Sequence, residues 1–304
     1  MKIFSIVILL TGLLTSQLEA VAQCCAPGNP VSGNEYNGIL PKRTLRTVTF
    51  YRHSKSDTYF ENSEKSDLQG TTAGYDYIGE VISYGLVKRL SAEAEVGYYL
   101  DKHQDSEVLG RFTTYGFNNA VLSLKYAVIK TKNDLEVTLG SGIKIPLSTK
   151  VFYDEYGLPY GQDIHPSTGA YGVTGQLYVY KGFMKKWRAV VHARYDHNGY
   201  NSENYKFGDA FITSIFISRS FKHNWGATLQ LRNEFRSEDF QGEVHYLSTG
   251  GNIKYFSPQI SKTFKHRITA AATADLPFFR RYNGIQLSPK YAFGLSLVKD
   301  FCFQ

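Results

Sequence analysis

Residues 91–100 read Ser91-Ala92-Glu93-Ala94-Glu95-Val96-Gly97-Tyr98-Tyr99-Leu100. Ala92, Ala94, Val96, Tyr98 and Leu100 share one parity, while Ser91, Glu93, Glu95 and Gly97 take the other. Successive side chains of a strand point to opposite faces, so this stretch is a β-strand with one apolar and one charged side. The same alternation returns in Leu122, Leu124, Tyr126 and Val128 against Ser123 and Lys125, and in Leu135, Val137 and Leu139 against Glu136 and Thr138. It recurs in Ala189, Val191, Ala193 and Tyr195 against Arg188, His192, Arg194 and Asp196. Trp225, Ala227, Leu229 and Leu231 oppose Thr228, Gln230, Arg232 and Glu234, and the last stretch sets Tyr291, Phe293, Leu295 and Leu297 against Ala292, Gly294 and Ser296.

Twelve strands follow, near 43–54, 74–87, 91–100, 115–130, 135–147, 169–182, 188–198, 207–221, 225–237, 249–263, 267–277 and 289–303. The connections alternate between about 8 to 21 residues at one end and about 3 to 5 at the other, the asymmetry of an outer-membrane barrel with tight periplasmic turns and long external loops. The fold expected is all-β, a single 12-stranded antiparallel transmembrane β-barrel over 43–304, with both termini periplasmic. The competing reading is a soluble, secreted β-sandwich or barrel. Mid-strand charges such as Glu93, Glu95, Arg194 and Arg232 favour the membrane barrel, because a polar lumen accepts them and a dry sandwich core does not. Two strands leave the choice open: 74–87 mixes Ile78, Val81 and Ile82 with Asp76 and Glu80, and 207–221 is apolar on both faces.

Composition agrees with alternation. The chain has 304 residues and 15% aromatics (Tyr 23, Phe 20, Trp 2), and its net charge of +7 carries no Lys/Arg block that would mark a nucleic-acid footprint. Lys2, the apolar stretch from Ile3 to Leu14 and the small-x-small set Ala20-Val21-Ala22 read as a signal peptide over 1–22. That stretch rises about 18 Å as a helix, too short for a hydrocarbon core of about 30 Å. Residues 23–42 then form a periplasmic N-terminal segment. Lipidation at Cys24 is disfavoured because Gln23, not a small residue, precedes it.

Assigned by parity, the lumen receives Lys125, Lys144, Arg188, Arg194, Arg232 and Arg236 against Glu93, Glu95, Glu136, Asp196, Glu234 and Asp275, with His192 at a mid-strand site. Cations and anions balance, which suits cross-lumen pairing in a narrow barrel rather than a one-sign selectivity ladder. Three readings stay open for Cys24, Cys25 and Cys302: a disulfide from one of the pair to Cys302, a soft-metal site on the adjacent pair, or unlinked thiols. No metal-ligand spacing such as H-E-x-x-H or C-x-x-C occurs, and no cofactor is expected. An outer-membrane hydrolase would need a nucleophile beside a base; Ser123 and Ser214 lie on strands, and nothing in the sequence sets either beside His192. The aromatic last strand, ending Phe301-Cys302-Phe303, reads as the signal for the barrel-assembly machinery, with outer-membrane lipid as the other partner.

Several motifs resemble those of the outer-membrane transporters grouped as the "meta-pathway of phenol degradation" family. They are Ser83-Tyr84-Gly85-Leu86-Val87-Lys88-Arg89-Leu90-Ser91, Gly116-Phe117-Asn118-Asn119, Gly142-Ile143-Lys144-Ile145-Pro146-Leu147 and Ser167-Thr168-Gly169-Ala170-Tyr171-Gly172. Gly250-Gly251, Ser257-Pro258, Asp275-Leu276-Pro277 and Asn283-Gly284-Ile285-Gln286-Leu287 follow in the family's order. The likeness runs from about residue 75 onward; the second motif departs from the family's Gly-x-Gly-Asp by carrying Asn in both last places. The resemblance implies a barrel channel passing a small solute, with no catalytic residue. A non-conducting binding or accessory subunit is the alternative.

Overall fold

The computed structural model describes residues 38–303 apart from 109 and 185. The strands of the barrel are β1 (Thr44–Glu61), β2 (Thr71–Val87), β3 (Leu90–Ser106), β4 (Gly110–Phe117 continued by Asn119–Lys130), β5 (Leu135–Pro146) and β6 (Gly172–Phe183). Then come β7 (Trp187–Asn198), β8 (Ala210–Ser220), β9 (Trp225–Arg236), β10 (Gly251–Thr263), β11 (Ile268–Tyr282) and β12 (Ile285–Cys302). Each pairs antiparallel with its sequence neighbours. β12 returns to β1 in a ladder from Thr44↔Cys302 to Glu61↔Ile285, so the sheet closes on itself and leaves no edge.

The side chains sort as a bilayer demands. Leu122, Leu124, Leu139, Ile143, Val191, Ile215, Ile217, Leu229, Leu231, Leu295 and Leu297 lie exposed on the outer wall. Ser91, Ser123, Lys125, Thr138, Gln176, His192, Arg194, Thr228, Arg232 and Ser257 are buried within. A soluble barrel would invert this arrangement. Aromatic residues edge the apolar band: Tyr195, Phe211 and Phe235 are cross-strand neighbours toward the loop end, while Phe221, Trp225, Phe264 and Phe301 are exposed toward the turn end.

β2, whose parity the sequence leaves undecided, turns Tyr75, Tyr77, Val81 and Ser83 inward and the carboxylates Asp76 and Glu80 outward. Both outward acids are held by β1: Thr49 Oγ1 donates to Glu80 at 2.5 Å, and the Tyr51 hydroxyl and His53 Nδ1 (2.9 Å) engage Asp76. Inward, Phe50 and Tyr77 pack at 5.8 Å and Tyr77 and Tyr99 at 4.9 Å, filling the lumen on the β1–β3 side. Gly79 and Gly97 make room for them. A Cβ on Gly97 would sit 1.7 Å from the Tyr77 hydroxyl oxygen, and one on Gly79 would sit 2.1 Å from Phe50 Cζ.

The loop pattern differs from expectation in a consistent way. The external connections expected at 55–73, 101–114 and 278–288 are mostly strand, since β1, β3, β11 and β12 run on past the apolar band and close in short turns. The expected loop 278–288 is a hairpin closed at residues 283 and 284. Long non-strand connections remain at 147–171, 199–209 and 237–250, where part of the last two forms a small sheet of Tyr205–Lys206, Asp239–Gln241 and Val244–Tyr246. All these lie at one end, and the other end has only tight turns; in outer-membrane barrels the long-loop end is the external one and the tight-turn end the periplasmic one, and the two ends are named so below.

Candidate functional site

The lumen carries a belt of charged side chains, its waist, that no single strand pair accounts for. Arg194 of β7 contacts Asp196 at 2.8 Å and reaches Glu95 of β3 at 3.3 Å; Lys144 of β5 lies 3.7 Å from Asp196 and donates to Asn198 Oδ1 at 2.7 Å. A second cluster joins Arg52 of β1 to Asp275 of β11 at 2.6 Å, with Arg232 of β9 at 3.4 Å from Asp275 and 2.9 Å from Glu234. Ser257 adds its hydroxyl to Asp275, and the Arg232 guanidinium lies over the Tyr255 ring. Lys125 pairs with Glu93 at 2.7 Å, and Ser83 donates to the same carboxylate. Charges taken this far from water need their partners, because a buried ion pair only offsets its desolvation when its hydrogen bonds are met.

Arg188 lies at the periplasmic mouth, near Ser220. His192 stacks on Tyr178 at 4.4 Å with the rings 17° apart, and among the described residues neither ring nitrogen has a hydrogen-bond partner. Ser214 is its cross-strand neighbour, which the sequence alone does not reveal, yet the Ser214 hydroxyl accepts from Gln230 and makes no bond to His192. Among the described residues no three His, Cys, Asp or Glu side chains converge as metal ligands. Among the described residues Cys302, at the turn end of β12, has no disulfide partner, and Arg267 contacts its sulfur. Cys24 and Cys25, and with them the disulfide and metal readings and the signal peptide, lie outside the described residues. Phe301 and Phe303 are exposed on the outer wall.

Each mouth is covered by chain that is not part of the barrel ladder. At the periplasmic end residues 38–43 cross the opening: Ile39 N–H donates to Glu136 of β5 at 3.0 Å, and Leu40 N–H to Ser91 of β3 at 3.0 Å. Ile39 is 1% exposed. The fit depends on Gly85, where a Cβ would sit 2.0 Å from the Pro41 carbonyl oxygen. At the external end the 147–171 loop folds inward through a short 3-10 turn, Gln162–Ile164. Lys102 of β3 donates to the carbonyls of Asp163 (2.5 Å) and His165 (2.9 Å), Thr114 to that of Ile164 (2.6 Å), and Asn119 bonds Ser167 and Thr168.

Between this loop and the charged waist is a cavity of about 200 Å³. Its floor includes Glu95, Arg194, Asp196 and Glu234, and its roof includes Asp163 and His165. Burial pushes the Asp163 carboxyl up to about 6 against the pull of the Lys102 ammonium, and burial with that same ammonium lowers His165. Neither loop residue is marked by the sequence pattern. No periodicity marks a loop that turns inward, and the one available signal is a cluster of polar residues, 162–168, inside an otherwise external connection.

No family model matches the chain, and no curated protein matches it either. Solved structures do. An outer membrane channel from Pseudomonas putida F1 is similar over 91% of this chain and 100% of its own, with a TM-score of 0.69 at 14% identity. The chain has the fold of an outer-membrane β-barrel. The translocator domain of the autotransporter NalP from Neisseria meningitidis is similar over 89% of this chain and 91% of its own, with a TM-score of 0.50 at 11% identity. At these identities the likeness is one of fold.

Proposed function

We propose that this barrel is an outer-membrane channel for passive passage of a small solute, related to the phenol meta-pathway transporters that its turn motifs resemble. One observation carries the reading: both mouths are covered by coil, residues 38–43 and the 147–171 loop, rather than by barrel strands. Coil can swing aside without unzipping a ladder, and a cavity already occupies the space beneath the external loop. The structure from Pseudomonas putida F1, itself described as an outer membrane channel, supports the same reading through its fold.

A second reading, a non-conducting accessory subunit, draws on the waist, where the Glu95–Arg194–Asp196 and Arg52–Asp275–Arg232 clusters fill the lumen with paired charge. Planar bilayers decide between them. Purified protein is expected to give unit conductance steps, and deletion of residues 23–42 is expected to enlarge them while leaving the heat-modifiable gel shift of a folded barrel. If neither protein conducts, and liposome swelling with small sugars, phenolics and amino acids also fails, the subunit reading replaces the channel.

A further inference from the structure

The cavity beneath the 147–171 loop sets charged side chains, whose hydrogen bonds are nearly all taken, among aromatic and aliphatic ones such as Tyr99, Phe207 and Ile253. Among its cations, Lys102 is spent on two backbone carbonyls, Lys144 on Asn198, Arg194 on Asp196 and Glu95, and Arg236 on Asp239 at 2.5 Å. Among its anions, Glu234 Oε1 makes no hydrogen bond but has the Arg232 guanidinium at 2.9 Å, whereas Asp163 Oδ2 has no hydrogen-bond partner among the described residues and no contact with bulk water. Beside it in the roof stands His165, 8% exposed, with both ring nitrogens likewise unpartnered among the described residues. A neutral imidazole offers one donor and one acceptor, and a carboxylate offers acceptors only.

We propose that this cavity binds a small ammonium-bearing solute, a simple amine or amino acid in size, seated on the Asp163 carboxylate with His165 beside it. The inference deepens the channel reading and rests on it for what becomes of the bound solute. Three physical points select the class. An anion would have to displace a carboxylate or carbonyl from a cation already satisfied. A neutral polyol could donate to Asp163 Oδ2 but would add no positive charge to Lys102 and Arg236, whose pull does not offset the burial of the carboxylate. An ammonium supplies both the donors and the charge. The volume of about 200 Å³ sets the size, since sites for drug-sized ligands begin near ~300 Å³.

The test is calorimetric titration of the full-length protein in detergent micelles with ethanolamine, 1,4-diaminobutane, glucose and sodium acetate as probes. The two amines are expected to bind and the other two are not. Asp163→Asn is expected to weaken amine binding at least ~30-fold, while Asp105→Asn on the exposed rim leaves it unchanged. Equal binding of glucose or acetate, an unchanged Asp163→Asn protein, or no binding by any probe overturns the proposal. If Asp163→Asn fails to fold, wild type is titrated at pH 7.5 and pH 5. Protonating Asp163, which faces Lys102, Arg236 and Asp239, is expected to weaken amine binding, and an amine affinity that does not fall overturns the proposal. Bilayer conductance is recorded on the same preparation. A protein that conducts but binds no probe overturns the site alone, whereas one that binds amines but never conducts supports the site and removes the channel reading.

Discussion

Arg194 stands on β7 and Glu95 on β3, strands separated by three others in the sheet, yet their side chains meet at 3.3 Å inside the barrel. This contact crosses the lumen rather than running along the wall, and Arg194 holds Asp196 at 2.8 Å at the same time. Replacing Arg194 by Ala leaves two buried carboxylates short of their countercharge. The loss expected is about 3–5 kcal/mol, the usual cost of breaking a buried pair from one side. Urea unfolding in micelles measures it. Lys290→Ala, which breaks the exposed pair with Asp57 at 2.7 Å, serves as the comparison and is expected to cost far less, since water screens an exposed pair. Equal effects at the two sites would mean that the waist is fully hydrated.

Removal of positive charge from the waist has a second consequence in a conducting barrel. Arg194→Ala combined with Arg232→Ala leaves Glu95, Asp196, Glu234 and Asp275 in excess. Reversal potentials in a salt gradient are expected to move toward cation selectivity relative to wild type. An unchanged reversal potential would put the ion path elsewhere.

The outer wall yields a test of membrane orientation. Leu229 and Leu231 of β9 are exposed and lie between Trp225 at one edge of the apolar band and Phe235 at the other. Leu229→Arg places a charge near the bilayer midplane at an expected cost of about 2–4 kcal/mol, whereas Thr228→Ser, on the lumen side, leaves stability nearly unchanged. The measurement is urea unfolding, here in lipid vesicles. A tolerated Leu229→Arg would contradict a lipid-facing position.

What was readable in the sequence is what obeys a period of two. The outward row Ala92, Ala94, Val96, Tyr98 and the inward Glu93 and Glu95 need only adjacent residues to declare their faces. Contacts between segments distant in sequence leave no such trace. Lys102 meets the carbonyl of His165, and Ile39 meets Glu136, through pairings fixed by the closed barrel and not by local pattern. The strand extensions fall between these cases. Arg280 and Arg281 look like loop residues because they are charged, but the ladder continues beyond the bilayer where charge is free to face water. The Asn283-Gly284 dipeptide is nevertheless a hairpin-turn signal that could have shortened the expected loop. Arg52 carried a weaker signal, sharing its parity with Arg46 on β1, and its partner Asp275 became evident only on barrel closure.

Barrel assembly is expected to depend on the exposed aromatic end of β12. Phe301 and Phe303 line the outer wall beside the closing ladder, and Phe303 N–H donates to the Arg43 carbonyl at 2.9 Å, so the chain end also seals the seam with β1. Phe303→Ala retains that backbone bond and removes only the ring. A fall in surface level with normal refolding in vitro would assign the ring to recognition by the assembly machinery. Unchanged surface levels would remove that role.

The roof of the cavity should respond to pH through Asp163. Its carboxyl is raised to about 6 by burial, above the ordinary Asp value near ~3.9, so the folded loop holds a proton that the freed loop releases between those values. The sign follows: the cost of packing an ionised Asp163 is fully present above pH 6, shrinks as pH falls through 6, and is absent below about 4. Lys102 and Arg236, which favour the ionised form, and Asp239, which opposes it, face the same group. Protease cleavage within residues 147–161 of purified protein is therefore expected to be slower at pH 5 than at pH 7.5 after correction for the protease's own pH profile. Asp163→Asn, neutral at both values, is expected to cleave at one rate. A pH response that survives in Asp163→Asn would transfer the effect to another group.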